Sequence, residues 1–222
     1  MIPIFDLDDT LYPERSFVES GFRAVATDLQ QIFGWNAEAS LMHMLTTLSD
    51  VGRGAVFNRL LDANSVLSAK LVRHCVNTYR HHQPNIQLAP AAHRILDALT
   101  TRPYLVTDGH KAVQHNKVKA LNIESRFNRI YITHRYGVRH AKPSIYCFEL
   151  IRKREHCLWS DMFYVGDNPA KDFVNLNQLG VHTIRVTTGE HATVVAKAGF
   201  DAKHVIRSLD ELKTLLGVSK KT

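Results

Sequence analysis

Short apolar runs rich in β-branched and aromatic residues recur along the chain. They are IPIF at 2–5, YLVT at 104–107, RIYIT at 129–133, MFYVG at 162–166, HTIRV at 182–186 and HVI at 204–206. Each reads as a short strand. Longer stretches with apolar residues in helical period lie between them: PAAHRILDALTT, KAVQHNKVKALN, SIYCFELIRKRE, AKDFVNLNQLG and SLDELKTLLG. Alternation of this kind predicts an α/β fold, a Rossmann-like doubly wound parallel sheet with helices on both faces. Such sheets carry their sites beyond the carboxyl ends of the strands.

The interval between the first and second strands breaks the rhythm. SFVESGFRAVATDLQQIFGW opens on a capping-box pattern, Ser16 with Glu19 three residues on, and sets Phe22, Val25, Leu29 and Ile32 on one face before Gly34 stops it. AEASLMHMLTTLSD and VFNRLLDANSVLSAKLVRHCVNTYRHH continue in helical period. The expected organisation is therefore a catalytic core of residues 1–13 and 87–222 carrying a small inserted α-helical cap domain, 14–86. Pro13, Pro84 and Pro90 punctuate its boundaries.

Composition narrows the class without changing the fold. A chain of 222 residues, 45% hydrophobic and 22% charged, has enough apolar material for a sizeable core and the balance of a soluble globular protein. Only the terminal VSKKT is expected to lie outside the folded part. Three cysteines, Cys75, Cys147 and Cys157, fit neither a disulfide framework nor a zinc-ligand spacing. The first strand begins at Ile2, leaving no room for a signal peptide, and no apolar run has the length of a membrane span, so a cytoplasmic protein with no membrane partner is expected.

The net charge of +7 is uneven: residues 14–86 hold 7 Lys/Arg against 6 Asp/Glu, whereas 87–222 hold 21 against 12. Within the second part, RFNRIYITHRYGVRHAKP interleaves basic and aromatic side chains. Such a stretch can steer an anionic substrate or dock an acidic partner. No recognisable nucleic-acid module accompanies it, and nucleic acid is not the expected partner. No large exposed apolar stripe is evident, which makes a monomer the default.

Polar residues stand at the strand ends. Asp6, Asp8 and Asp9 crowd behind the first, Thr107 closes the second in LVTDGH, Lys142 follows the third in HAKPS, and Asp167 and Asp172 follow the fourth in YVGDNPAKDF. Crowded carboxylates repel and resist desolvation, so a cation or a chemical task must offset their cost. In order and spacing these four segments match the motifs DxDxT, Ser/Thr, Lys and GDxxxxD, and the chain resembles the haloacid dehalogenase superfamily of hydrolases.

The resemblance implies a phosphatase acting through an aspartyl-phosphate on Asp6. It implies Mg²⁺ held by Asp6, Asp167 and the backbone carbonyl of Asp8, with Asp172 as an outer or water-mediated partner that also steadies the lysine. Asp8 would act as acid and then base, assistance worth roughly 10²- to 10⁴-fold. Thr107 and Lys142 would bind the transferring phosphoryl oxygens. Asp9 and Thr10 are expected to hold the turn. Asp108 replaces the family's usual asparagine and sets an extra carboxylate beside the phosphate site, where it could alter substrate choice. In the cap, Trp35 and Arg53 are the residues to watch for substrate contacts, although packing and solvation are the plainer expectations for them; His81 and His82 are expected to satisfy backbone carbonyls at a helix end.

Within the resemblance the residues separate the reactions. Dehalogenases lack a counterpart of Asp8, phosphonatases replace it and add a cap lysine, and phosphosugar mutases place a histidine where this chain has Val18. A small phosphorylated metabolite, a sugar phosphate or nucleoside monophosphate, is the expected substrate. A macromolecular phosphosubstrate, a mutase activity and a non-catalytic binding role stay open as alternatives.

Overall fold

Each apolar run contributes a strand: β1 (Ile2–Phe5), β2 (Tyr104–Thr107), β3 (Arg129–Ile132), β4 (Met162–Gly166), β5 (His182–Val186) and β6 (His204–Ile206). The computed structural model describes residues 1–215; the terminal VSKKT and the end of the last helical pattern lie outside the described residues. The strands form one parallel sheet in the order β3-β2-β1-β4-β5-β6. This is the doubly wound Rossmann order, and the sequence of strands reverses between β1 and β4, where such sheets open a crevice.

The residues divide into two compact units, one formed by 1–14 and 87 onward and the other by Arg15–Ile86. The second unit is helical. Its elements are α1 (Glu14–Phe33, its first residue counted with the sheet unit), α2 (Ala37–Val51), α3 (Val56–Ala63) and α4 (Ala69–His81). Val25, Leu29, Met44, Leu61 and Cys75 are wholly enclosed in its core. Full burial of each large aliphatic side chain favours the unit by about 1.5–3 kcal/mol before ordering entropy is subtracted.

Local chemistry moves two of the expected boundaries here. α1 starts at Glu14, so the Ser16–Glu19 pair lies inside the helix and does not form its N-terminal cap. The turn before it supplies the cap: the Glu14 N–H donates to Asp9 Oδ1 at 2.8 Å, and Pro13 directly ahead suits a helix entry. Glu19 instead takes Arg15 Nε at 2.8 Å. The long helical pattern from Val56 is two helices, because Ser65 adopts a left-handed φ of 59° and Ser68 caps α4 through the Leu71 N–H. Gly34 ends α1 with φ 74°, its N–H donating to Gln30 O at 2.8 Å.

Around the sheet run α5 (Pro90–Ala98), α6 (Lys111–Ala120), α7 (Tyr146–Glu155), α8 (Val174–Leu179) and the short α9 (Leu212–Leu215). Ile4, Val106 and Tyr164 share one sheet face and pack with Phe148, Ile151 and Phe173. β2 and β4 are buried along their whole length, which is why their sequences are almost uninterrupted apolar runs. Thr133, expected as the end of the third strand, begins a 3₁₀ turn instead. Among the described residues no helix is long and apolar enough to cross a membrane.

Candidate active site

The register of β1 on β4 sets Phe5 opposite Val165, and the Asp6 N–H continues the ladder by donating to Val165 O at 2.9 Å. The two chains leave the sheet together, carrying Asp6 and Asp167 side by side. Lys142, after β3, comes back to the same point: its Nζ is 2.9 Å from Asp6 Oδ1, 2.7 Å from Asp172 Oδ1 and 2.8 Å from the Tyr164 hydroxyl. The lysine, both aspartates and Asp167 are buried. Tyr164, hidden in the apolar run of β4, donates in turn to Asp172 Oδ1 at 3.1 Å.

One lysine does not balance three enclosed carboxylates. Burial pushes Asp6 up to about 7, with Lys142 pulling it down and Asp172 adding to the rise. Burial, Asp6 and Asp172 together push Asp167 up to about 9. Burial would lower Lys142, but Asp172 and Asp6 outweigh it and hold the ammonium well above its ordinary value. Burial would raise Asp172, but Lys142, Lys171 and the Asn168 N–H together outweigh it and hold the group below the ordinary carboxylate range.

Oxygens of Asp6, Asp167 and Asp172 lie within 4.8 Å of one another, a grouping that fits a cation. Asp6 Oδ1 has the Lys142 charge nearby but no aligned hydrogen bond. Asp172 is already committed, with Oδ1 beside Lys142 and Oδ2 accepting from the Asn168 N–H at 2.9 Å. Asp6 and Asp167 are therefore the better placed direct ligands, and a hard divalent ion suits their oxygen donors.

The raised carboxylates fix a sign for stability. Between about pH 4 and 9 the folded state retains protons on Asp6 and Asp167 that the unfolded chain has released, so metal-free stability should fall as pH rises. The lowered Asp8 and Asp172 act only below the ordinary carboxylate value and do not oppose this trend. Burial lowers His82, which opposes this trend only below its ordinary value of 6.5, so thermal melts of chelator-treated protein from about pH 7 to 9 should show a decline that shrinks in Asp167→Asn. A decline of equal size in the variant would exclude Asp167 as its source.

Asp8 is partly exposed and has its own set of partners. Its Oδ1 accepts from the Tyr12 hydroxyl at 2.5 Å and from Lys117 Nζ at 2.6 Å, and its Oδ2 accepts from Gln114 Nε2 at 2.8 Å. Burial would raise this carboxyl, but Lys117, Tyr12 and Gln114 outweigh it and hold the group below its ordinary value. Gln114 Nε2 also reaches Thr107 Oγ1 at 2.6 Å, which ties the end of β2 to Asp8.

No motif marks Gln114 or Lys117. They do carry a signal: with Val118 and Leu121 they occupy the i, i+3, i+4, i+7 stripe of α6 and its C-cap, so two polar side chains stand where a helix buries apolar ones.

Asp108 points back into the protein. Its Oδ1 accepts from Thr133 Oγ1 at 2.6 Å and from the Lys142 N–H at 3.1 Å, and Lys171 lies 3.6 Å from Oδ2. It thereby holds the segment that presents Lys142. Asp9 takes a left-handed φ of 50° and accepts from the Glu14 and Glu190 N–H groups. Gly189 faces it so closely that a Cβ there would fall 2.0 Å from Asp9 Cγ.

In the helical unit, Trp35 stacks on Phe33 with ring centroids 4.8 Å apart and packs against the core, while Arg53 is exposed in a 3₁₀ turn. His81 and His82 meet the carbonyls of Asn77 and Tyr79. In the basic stretch Arg126 pairs with Asp97, and the Arg129 guanidinium lies 5.5 Å from the centre of the Tyr131 ring.

Residues 3–186 match the family described as haloacid dehalogenase-like hydrolase. The chain is similar to the glyceraldehyde 3-phosphate phosphatase of Methanocaldococcus jannaschii, 28% identical over 98% of this chain and 97% of that one. The same enzyme of Methanopyrus kandleri is 24% identical over 85% and 84%. Among solved structures, the fold resembles the HAD-hydrolase YfnB from Bacillus subtilis, a structure bound to magnesium, with a TM-score of 0.72, 16% identity and 98% coverage of both chains. It also resembles the 2-haloacid dehalogenase of Pseudomonas syringae, with a TM-score of 0.65, 20% identity and coverage of 98% and 99%.

Proposed function

The chain belongs to the haloacid dehalogenase-like hydrolases and is a phosphoric monoester hydrolase, and from that premise we propose that it is a Mg²⁺-dependent phosphatase of small sugar phosphates working through an aspartyl-phosphate. The observation that carries this reading is the buried Asp6 carboxylate, set between Lys142 and Asp167 at the crevice of the sheet.

Asp6 attacks phosphorus, and the bond from phosphorus to the ester oxygen breaks as Asp8, which takes up a proton when the phosphate dianion is bound beside it, delivers that proton to the oxygen. A sugar alkoxide is a poor leaving group and needs this proton, whereas a halide does not. The presence of Asp8 thus favours phosphate esters. Asp8 then takes a proton from the water that attacks the aspartyl-phosphate, releasing inorganic phosphate and restoring Asp6. Thr107 and Lys142 bind the phosphoryl oxygens as charge shifts among them. Asp6, Asp167 and the Asp8 carbonyl would hold Mg²⁺, which when bound reduces the repulsion between the carboxylate and the phosphate dianion.

The helical unit is assigned the part of a cap that sets substrate choice. The curated relatives act, by name, on glyceraldehyde 3-phosphate, which places triose phosphates first among the substrates to try.

Phosphate release should be measured over a panel of triose, pentose and hexose phosphates, nucleoside monophosphates, a phosphorylated protein and a phosphorylated polymer, with Mg²⁺ and with EDTA. Preference for a small sugar phosphate, abolished by EDTA and restored by Mg²⁺, is the expected result. Full turnover in metal-free buffer would exclude the cation, and preference for a phosphorylated protein or polymer would exclude the small-molecule reading.

A further inference from the structure

We propose that Gln114 and Lys117 are positioning residues that hold Asp8 and Thr107 as one unit, so that proton delivery to the leaving oxygen and grip on the phosphoryl group are set by the same helix. This rests on the phosphatase reading above.

The geometry is specific. A carboxamide nitrogen carries two hydrogens, and Gln114 Nε2 has two acceptors, Asp8 Oδ2 at 2.8 Å and Thr107 Oγ1 at 2.6 Å. The separation of the two working groups is therefore set by one amide. Because Thr107 Oγ1 accepts from Gln114, its own hydrogen is left to donate, which is what a phosphoryl oxygen requires.

Lys117 holds the remaining Asp8 oxygen at 2.6 Å with its side chain only 3% exposed, and it also lies 3.4 Å from Glu14 Oε1. A lysine enclosed to that extent is costly unless its charge is matched. Both side chains come from one face of α6, three residues apart, so a single helix carries the whole restraint. With Tyr12 completing the set, neither oxygen of Asp8 is free to wander. Misplacing a reacting group by about 1 Å can cost about 10²-fold in rate.

The test compares kcat/KM for an alkyl phosphate, the best sugar phosphate of the panel, with that for p-nitrophenyl phosphate. Nitrophenolate departs without a proton, and kcat/KM covers events only through leaving-group departure. Gln114→Leu, which leaves the Lys117 charge in place, should lower the alkyl-to-aryl ratio by about 10- to 100-fold, with Asp8→Asn setting the full size of the effect. The ratio does not depend on how much of a variant is folded, so a merely structural role would leave it unchanged. An unchanged ratio in an active enzyme overturns the inference alone. Silence of the parent protein on both esters would overturn the phosphatase reading and this inference with it.

Discussion

Asp6→Asn should lower phosphate release by about 10⁴-fold or more while leaving the metal-free protein at least as stable as the parent. The two halves of this expectation come from the same contact. Asp6 is buried with its Oδ1 lacking an aligned hydrogen bond, beside two further carboxylates, and its pKa is pushed up to about 7. Above that pH the ionised group is a cost to the fold. An amide of the same shape carries no net charge and relieves the repulsion with Asp167 and Asp172. Lys142 keeps Asp172 at 2.7 Å and so is not left without an anion.

The same amide cannot form the acyl-phosphate, so the reaction has no first step. Steady-state phosphate release and a thermal melt in chelator, both at about pH 8, check the two halves together. Loss of activity with a lower melting temperature would mean that Asp6 is a structural residue. Retained activity would place the nucleophile elsewhere.

The legible part of the site is the part attached to strand ends. Asp6, Thr107 and Asp167 were visible because a buried parallel strand announces itself as an apolar run, and the first polar residue after it has nowhere to go but the crevice. Lys142 was legible only through the order of the motifs, since it follows a 3₁₀ turn and no local pattern distinguishes it from a surface lysine.

What escaped was polar chemistry inside apolar patterns. Tyr164 reads as a core aromatic in MFYVG, yet its hydroxyl joins Lys142 and Asp172. Gln114 and Lys117 are polar side chains within a helical pattern, and the stripe they occupy is the buried one. The start of α1 was misread for a related reason: a local pair at Ser16 and Glu19 imitates a cap, while the actual partner of the first N–H, Asp9, is fixed by a left-handed turn that periodicity does not register.

Lys142→Met is the second large effect, and it separates folding from chemistry differently. Methionine fills similar length without charge, so the loss is that of the ammonium and its contacts at 2.9 Å to Asp6, 2.7 Å to Asp172 and 2.8 Å to Tyr164. Removing one partner of a buried ion pair costs about 3–5 kcal/mol, because the other charge stays enclosed. In a chain of this size that corresponds to a fall of roughly 6–20 °C in melting temperature.

The penalty has a pH signature. Without Lys142 the Asp6 carboxyl is raised further and Asp172 loses the charge that holds it low, so the folded variant holds protons that the unfolded chain has lost, and its deficit grows as pH rises through neutrality. Turnover should drop by about 10²- to 10³-fold, the usual consequence of removing a preorganised donor from developing negative charge. Denaturant unfolding of parent and variant at about pH 5 and pH 8 measures the signature. Mg²⁺ should recover part of the stability and little of the activity, because a second cation relieves the carboxylates without replacing the donor to the phosphoryl oxygens. A variant as stable as its parent at the higher pH would show that the lysine is not what balances this cluster.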